Sequence, residues 1–521
     1  YKMALNLASP GIVVREVDLT IGRVDATSGS IGALVAPFTK GPVEDAQLIE
    51  SEEDLLQTFG QPYSVDKHYE YWMVASSYLA YGGTLQVIRA DDYNTLTGVG
   101  LKNAFVGTAS SIRIKSDTHY NQLGYDDNTI TGVTVASKTP GTYANGLRVA
   151  IIDAKADQVL TVSGISTVGL GITQSAAGRI VAGAGGTSVL DGYIKGIVTE
   201  VGTGTISVKT LAHVSTAGTV TNVNYQNGGV YNFATGNISA SAAGTNVGGT
   251  AQSVTAAVDW FEQQNIVLTQ TDTNGNPLSL EWDALADRPS TSTYVASRGG
   301  RFDELHVVVI DDKGTITGNA GTILEKHLNL SKAKDAEYSV GSTSYWRKYL
   351  ATNSQYIYGG SSPAGITTTG YSITSNNTLD ADSGWDQDAA DVNFGASGVV
   401  TASLAGGTNY GDKTDYTTTG ALTSGVDDLI SGYELFANKE EVEVDFIMMG
   451  AAHHPKEQSQ ALAEKCIAVA EARKDAVAFI SPYRQAFLND SSVGAVTVNN
   501  IDTMTTNIVS YYAPISSSTY G

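Results

Sequence analysis

The sequence predicts a multidomain α/β plus β protein, in which both chain ends build one discontinuous α/β core around a nested middle α+β domain and a β-rich outer insertion. Three observations carry this reading. A strand, helix, helix, strand order runs over the N-terminal hundred residues, a strand-helix-strand unit returns near the C-terminus, and the texture between them is poor in charge. At 521 residues the chain exceeds the size at which one core stays economical.

The N-terminal order is legible residue by residue. Gly29-Ser30-Ile31-Gly32-Ala33-Leu34-Val35-Ala36-Pro37 reads as a buried strand ended by Pro37 and a Lys40-Gly41-Pro42 turn. Ser51 to Gly60 carries acids in its first turn and glycine at its end, the marks of a capped helix. From Val65 to Tyr81, Tyr69, Trp72, Met73 and Leu79 recur at helical spacing, and Gly82-Gly83 separates them from the strand Leu85 to Ala90. Near the C-terminus Val442 to Met449, Pro455 to Arg473 and Ala476 to Ile480 repeat the grammar as strand, helix and strand, which implies parallel strands joined by a right-handed crossover.

Between these ends, residues 161–258 hold only five charged residues, Arg179, Asp191, Lys195, Glu200 and Lys209. Recurring β-branched residues separated by glycine turns fit a folded all-β insertion there better than a solvated linker. Leu147 to Asp153 and Leu305 to Asp311 look like two strands of a middle domain that the insertion interrupts. The tract 359–425, rich in Gly, Thr, Ser and Asp, reads as loop and as the mobile part of the chain. The domains expected are an extended arm at 1–22, an α/β core at 23–98 with 359–521, a middle domain at 99–160 with 259–358, and the outer insertion at 161–258.

Composition narrows function. With 53 acids against 31 bases the formal charge is −22, which opposes binding to a phosphate backbone. One cysteine, Cys466, leaves no intrachain disulfide, and its helical neighbours make it a packed thiol. No apolar run is long enough to span a bilayer, and no secretory signal pattern opens the chain; Tyr1-Lys2 precede Met3, where a natural start is expected.

Motifs with chemical potential fall short of their requirements. In Gly406 to Thr414, Asp412 separates glycine from Lys413 and no buried strand leads in, so a phosphate loop is not expected. The acids Asp380, Asp382, Asp386, Asp388 and Asp391 offer oxygen ligands, but Trp385 stands where a calcium loop needs glycine. His453 and His454 are adjacent, so their rings diverge rather than converge on one metal. No catalytic residue, metal ligand or cofactor is assigned, and an enzyme is not expected.

The opening segment, Ser9-Pro10-Gly11-Ile12 followed by imperfect β-branched alternation to Ile21, reads as an extended arm or strand, either an edge strand of its own domain or an arm exchanged with another subunit. It resembles, together with Lys40-Gly41-Pro42, the helix Glu53 to Pro62, the run Tyr78 to Ala90, and Leu429 to Glu440 with Ala470 to Asp475, the tail sheath family of contractile bacteriophages, in that family's order. The resemblance implies a structural subunit of the virion tail, assembled in the host bacterial cytoplasm. Such subunits polymerise helically around a tail tube and contract to drive it through the host envelope during genome delivery.

Partners implied are neighbouring copies, the tube protein, and baseplate and tail terminator proteins, with no cofactor, nucleic acid or membrane insertion. Ile12, Val13, Val14, Val17 and Leu19 are the expected subunit-linking residues of the arm. The resemblance also implies a C-terminal domain beyond Ser516 to Gly521 that lines the tube and carries a partner arm; this chain is expected to lack it and not to assemble normally. The alternative from composition is a β-rich phage or cell-surface adhesin whose insertion binds receptors, which would need aromatic residues on exposed loops among Tyr193, Tyr225, Tyr231 and Phe233.

Overall fold

The computed structural model describes residues 30–62, 68–125, 130–183, 186–241, 250–363, 370–371, 379–380, 385–410, 424–451, 455–489 and 497–515. It is a mixed α/β protein with much β sheet. Segments from both parts of the chain meet in one five-stranded sheet. Its strands are β1 (Ile31–Ala36), β2 (Gln47–Ile49), β3 (Thr84–Arg89), β4 (Phe446–Met448) and β5 (Val477–Phe479), in the order β2-β3-β1-β4-β5. All neighbours are parallel except β2 with β3.

Parallel strands need both faces covered, and two helix layers supply this. On one face lies α2 (His68–Ala80), where a Cβ added to Gly32 would sit 3.0 Å from Tyr78, Leu85 and Met448. On the other lie α3 (Val426–Glu434) and α4 (Lys456–Arg473). Gly432 lets α3 approach so closely that an added Cβ would fall 2.4 Å from Val35 Cγ1. The short helix α1 (Glu52–Phe59) begins as its sequence foretells: Ser51 Oγ accepts from Asp54 N–H, with three acids in the first turn, and Gly60 at φ +86° ends it.

Helix α2 runs as expected over its described length, but its buried residues are Tyr71, Trp72, Ala75 and Leu79, while Tyr69 and Met73 are exposed. The aromatic spacing marks the helix without marking its face, because Trp72 fits either stripe. Cys466 is fully buried on α4, and burial raises its thiol well above the usual range, so it is packed and unreactive.

The middle segments form a four-stranded antiparallel sheet in the order Thr322–Ser331, Glu304–Asp311, Leu147–Asp153, Val399–Ser403. Leu147–Asp153 and Glu304–Asp311 pair directly, Leu305 opposite Asp153 and Asp311 opposite Leu147. Their apolar runs are continuous because both faces are buried: Val149, Ile151, Val307 and Val309 pack toward Trp346, and Ala150, Ile152, Val308 and Ile310 toward Trp260 and Trp282.

The tract read as loop departs from that expectation in its described part. Val399–Ser403 is a strand on Leu147–Asp153, and Trp385, Phe394 and Tyr410 are buried. Residues 385–404 thus pack with the middle segments, whereas the sequence groups 359–521 with the α/β core. Two adjacent valines and a threonine supply β propensity, but nothing local names the partner strand.

Within the middle sheet His306 is fully buried; its Nδ1 accepts from Asn329 N–H and its Nε2 donates to the Asp287 carbonyl. Both nitrogens are used by the neutral ring, and burial lowers its pKa from 6.5. Below that value the unfolded chain binds a proton that the folded chain refuses, so stability present above it falls as pH drops toward the lowered pKa. The expected slope is at most about 1.4 kcal/mol per pH unit, measured by urea unfolding between about pH 7.5 and about pH 5.5, and His306→Gln should flatten it.

The charge-poor segment builds the largest sheet, in the order Thr250–Val254, Gly236–Ser241, Gly171–Ser175, Tyr193–Val201, Thr205–Val214, Gln158–Thr161, Ala256–Asp259, with Val220–Asn222 beside Thr205–Val214. Its few charges are structural. Lys209 Nζ meets Asp157 Oδ1 at 2.9 Å with both side chains buried, and Arg179 donates to the Val230 and Asn232 carbonyls. Arg301 reaches across from the middle segments to the Leu211 and Val223 carbonyls and Asn224 Oδ1, and burial pushes its pKa down to about 10.

Candidate interaction surface

The residues singled out for chemistry do other work where they are described. Gly406 to Tyr410 straps the middle segments to the α/β sheet. Gly407 N–H donates to Asn145 Oδ1, Thr408 and Lys102 bridge, and the Tyr410 hydroxyl accepts from Phe38 N–H and donates to the Ala90 carbonyl at 2.9 Å. Asp412, Lys413 and Thr414 lie outside the described residues, as do Asp382, His453 and His454. Asp386 accepts from the Tyr345 hydroxyl at 2.6 Å and Trp346 Nε1 at 3.1 Å, Asp388 sits 3.5 Å from Lys334, and Asp391 adopts a left-handed backbone. Among the described residues no three metal-ligating side chains converge, and no helix is long and apolar enough to cross a membrane.

Nor do the aromatic residues of the insertion form a platform for a sugar. Phe233 is buried, Tyr225 faces the Arg288 guanidinium at 4.4 Å, Tyr231 meets the ring of His213, and none of these or Tyr193 is exposed.

What the α/β unit offers instead is surface. Helix α2 packs on β3 and β1, while on the same face β4 is half-buried and β5 has exposed apolar side chains. There Val477 is 45% and Phe479 54% exposed, and Phe479 meets Phe446 edge-to-face at 5.4 Å. Alternation explains the exposure: Ala476 and Ala478 point to α4 and are buried, so Val477 and Phe479 must point away from it. Such a strip has the chemistry of a protein contact. The arm residues Ile12, Val13, Val14, Val17 and Leu19 lie outside the described residues.

The junction between the α/β sheet and the middle segments is held by Arg89, which the sequence marks only as one residue of the strand Leu85 to Ala90. It is fully buried, and its Nη1 donates to the carbonyls of Gly41 at 2.9 Å and Pro140 at 2.6 Å. An arginine inside an otherwise apolar strand was the available signal. Gly41 takes φ +102°, and a Cβ there would lie 2.7 Å from the Phe59 ring. In the returning half, buried Arg473 gathers the Phe436 and Val442 carbonyls in the same way.

No family model matches the chain. Over 91 residues it is 36% identical to the tail sheath protein of Enterobacteria phage T4 and 34% identical to that of Vibrio phage KVP40. The likeness is to phage tail sheath proteins. Each match covers 18% of this chain and spans only 13% of the relative's own length. A solved sheath tail protein, Lin1278 from Listeria innocua, aligns with 45% of this chain and 37% of its own at 18% identity, with a TM-score of 0.16, below what a shared fold requires.

Proposed function

We propose that this chain is a structural subunit of a contractile bacteriophage tail sheath, polymerising helically around the tail tube and contracting to drive the tube through the host envelope. The observation that carries the reading is the likeness of about one-third identity to two phage tail sheath proteins. Among the described residues, the sequence stretches that resemble the family fall on or beside the five-stranded α/β sheet and its helices, from both parts of the chain. On this reading the α/β sheet is the core domain, the middle antiparallel sheet is nested within it in sequence, and the eight-stranded sheet is the outer insertion.

Partners are neighbouring copies, the tube protein, and baseplate and terminator proteins of the virion tail. A contact between two different faces of identical subunits propagates as a helix when its rotation does not close into a ring. Arms that pair as strands keep main-chain hydrogen bonds while other contacts re-pack, and the free-energy difference between two arrays drives the motion without a nucleotide. The alternating arm side chains Ile12, Val13, Val14, Val17 and Leu19 match the apolar strip of Phe446, Val477 and Phe479 as donor and acceptor on successive copies.

Negative-stain electron microscopy of this chain, alone and with a phage tail tube protein, tests the reading. Helical tubes or stacked rings are expected, which would set aside the expectation from the resemblance that this chain does not assemble normally, and Val13→Asp with Val17→Asp should abolish them without shifting the melting temperature. Monomers at every concentration, with and without the tube protein, would overturn it.

A further inference from the structure

The Lys40-Gly41-Pro42 turn has a structural task that Gly41 and Pro42 complete: the left-handed glycine fits against Phe59 and offers its carbonyl to Arg89. Nothing in that task needs a charge at position 40. Lys40 is nevertheless half-buried, its stem lying where a Cβ on Gly60 would come within 3.4 Å of its Cγ. It lines a cleft of about 190 Å³ between α1, which contributes Gln57 and Thr58, and the middle segments, which contribute Thr139, Tyr143, Gln355 and Tyr356.

Several polar groups around the cleft are already engaged. Thr139 Oγ1 accepts from Gly41 N–H and bonds the Tyr143 hydroxyl, and Gln57 Nε2 donates to Glu53. Glu325, the acid that accepts from Gln355 N–H, also holds Ser354 and His327. No carboxylate among the described residues lies within ion-pair distance of Lys40 or of Arg89, which stands behind Gly41. Burial lowers the Lys40 amine below the usual lysine range with no anion to offset it.

Two cations with no acid beside them among the described residues are conspicuous at one junction of a chain with 53 acids and 31 bases. Copies carrying −22 each repel, and they meet most favourably where one presents an acid to an unmatched cation of the other. We infer that the Lys40 cleft receives a side-chain carboxylate from a second copy of this chain. A cleft of about 190 Å³ has room for a single Asp or Glu side chain, and the partly desolvated ammonium makes that hydrogen bond stronger than a solvated surface pair. This contact rests on the self-assembly proposed above and deepens it.

The test mixes ¹⁴N- and ¹⁵N-labelled copies of the chain and treats them with a water-soluble carbodiimide, which joins a carboxylate and a touching amine as an amide with loss of water. Mass spectrometry is expected to find Lys40 joined to an Asp or Glu peptide of the opposite isotope. In sedimentation velocity, Lys40→Met should weaken association about tenfold or more, the loss of one charge-assisted hydrogen bond, while Lys40→Arg retains most of it. Melting temperatures of both variants should match the parent. Associating copies in which Lys40 stays unlinked, or links only within one copy, overturn the carboxylate contact and leave self-assembly standing. Absence of association in the parent at every concentration overturns both.

Discussion

Replacing Lys332 with methionine is expected to destabilise the protein by about 3–5 kcal/mol, the range for removing one partner of a buried pair. Lys332 and Asp153 are both fully buried, with Nζ 3.1 Å from Asp153 Oδ2. The ammonium also donates to the Gly395 carbonyl at 2.9 Å and the Phe302 carbonyl at 3.2 Å, so its three N–H groups meet three acceptors. Burial acts to lower the Lys332 pKa, while Asp153 and Asp303 oppose it. Methionine preserves length but strands the carboxylate and two carbonyls. Asp153 keeps its bonds from the Ser397 and Gly398 N–H groups, which is why the chain should still fold at low temperature. Urea unfolding followed by tryptophan fluorescence measures the loss, and Asp153→Asn in the same molecule should recover part of it by removing the unpaired charge.

Trp346→Ala is expected to cost a similar amount, about 3–5 kcal/mol, by a different mechanism. Trp346 is fully buried, meets Trp385 edge-to-face at 5.4 Å, and donates from Nε1 to Asp386 Oδ1. Gly359 packs directly on it, for a Cβ there would lie 2.8 Å from the indole. Glycine and tryptophan are thus fitted to one another, and alanine at 346 leaves a void that neither Gly359 nor the strand bearing it can fill. Hydrogen exchange at the amides of Leu147–Asp153 reads the effect locally. Trp346→Phe should lose less, because it keeps the ring contact and gives up the hydrogen bond.

Both sites show why part of the fold is legible along the chain and part is not. The α1 helix announces itself through Ser51, its acids and Gly60, because capping is satisfied within a few residues. Leu147–Asp153 and Glu304–Asp311 announce themselves as buried strands, because a sheet covered on both faces is lined by apolar residues on successive positions, as at residues 149–152 and 307–310. The partner of Val399–Ser403, the buried face of α2 and the tasks of Arg89 and Lys332 carry no such local mark. Each depends on groups far away in sequence, as Arg89 on Pro140 or Lys332 on Asp153.

The candidate surface divides in the same way. The apolar alternation of Val477 and Phe479 is written in the strand, yet their exposure follows from where α2 ends its cover. Lys40 was visible as part of a turn, while its unmatched charge emerges only when α1 and the middle segments close a cleft around it. Sequence alone determined the mixed α/β and β character, the alternation of elements and the acidic balance, since these follow from periodicity, capping and composition. Tertiary structure decided which strands pair across the chain, which charges are buried with partners and which cation has no acid beside it among the described residues, because those outcomes are set by long-range contact and desolvation rather than by neighbours in sequence.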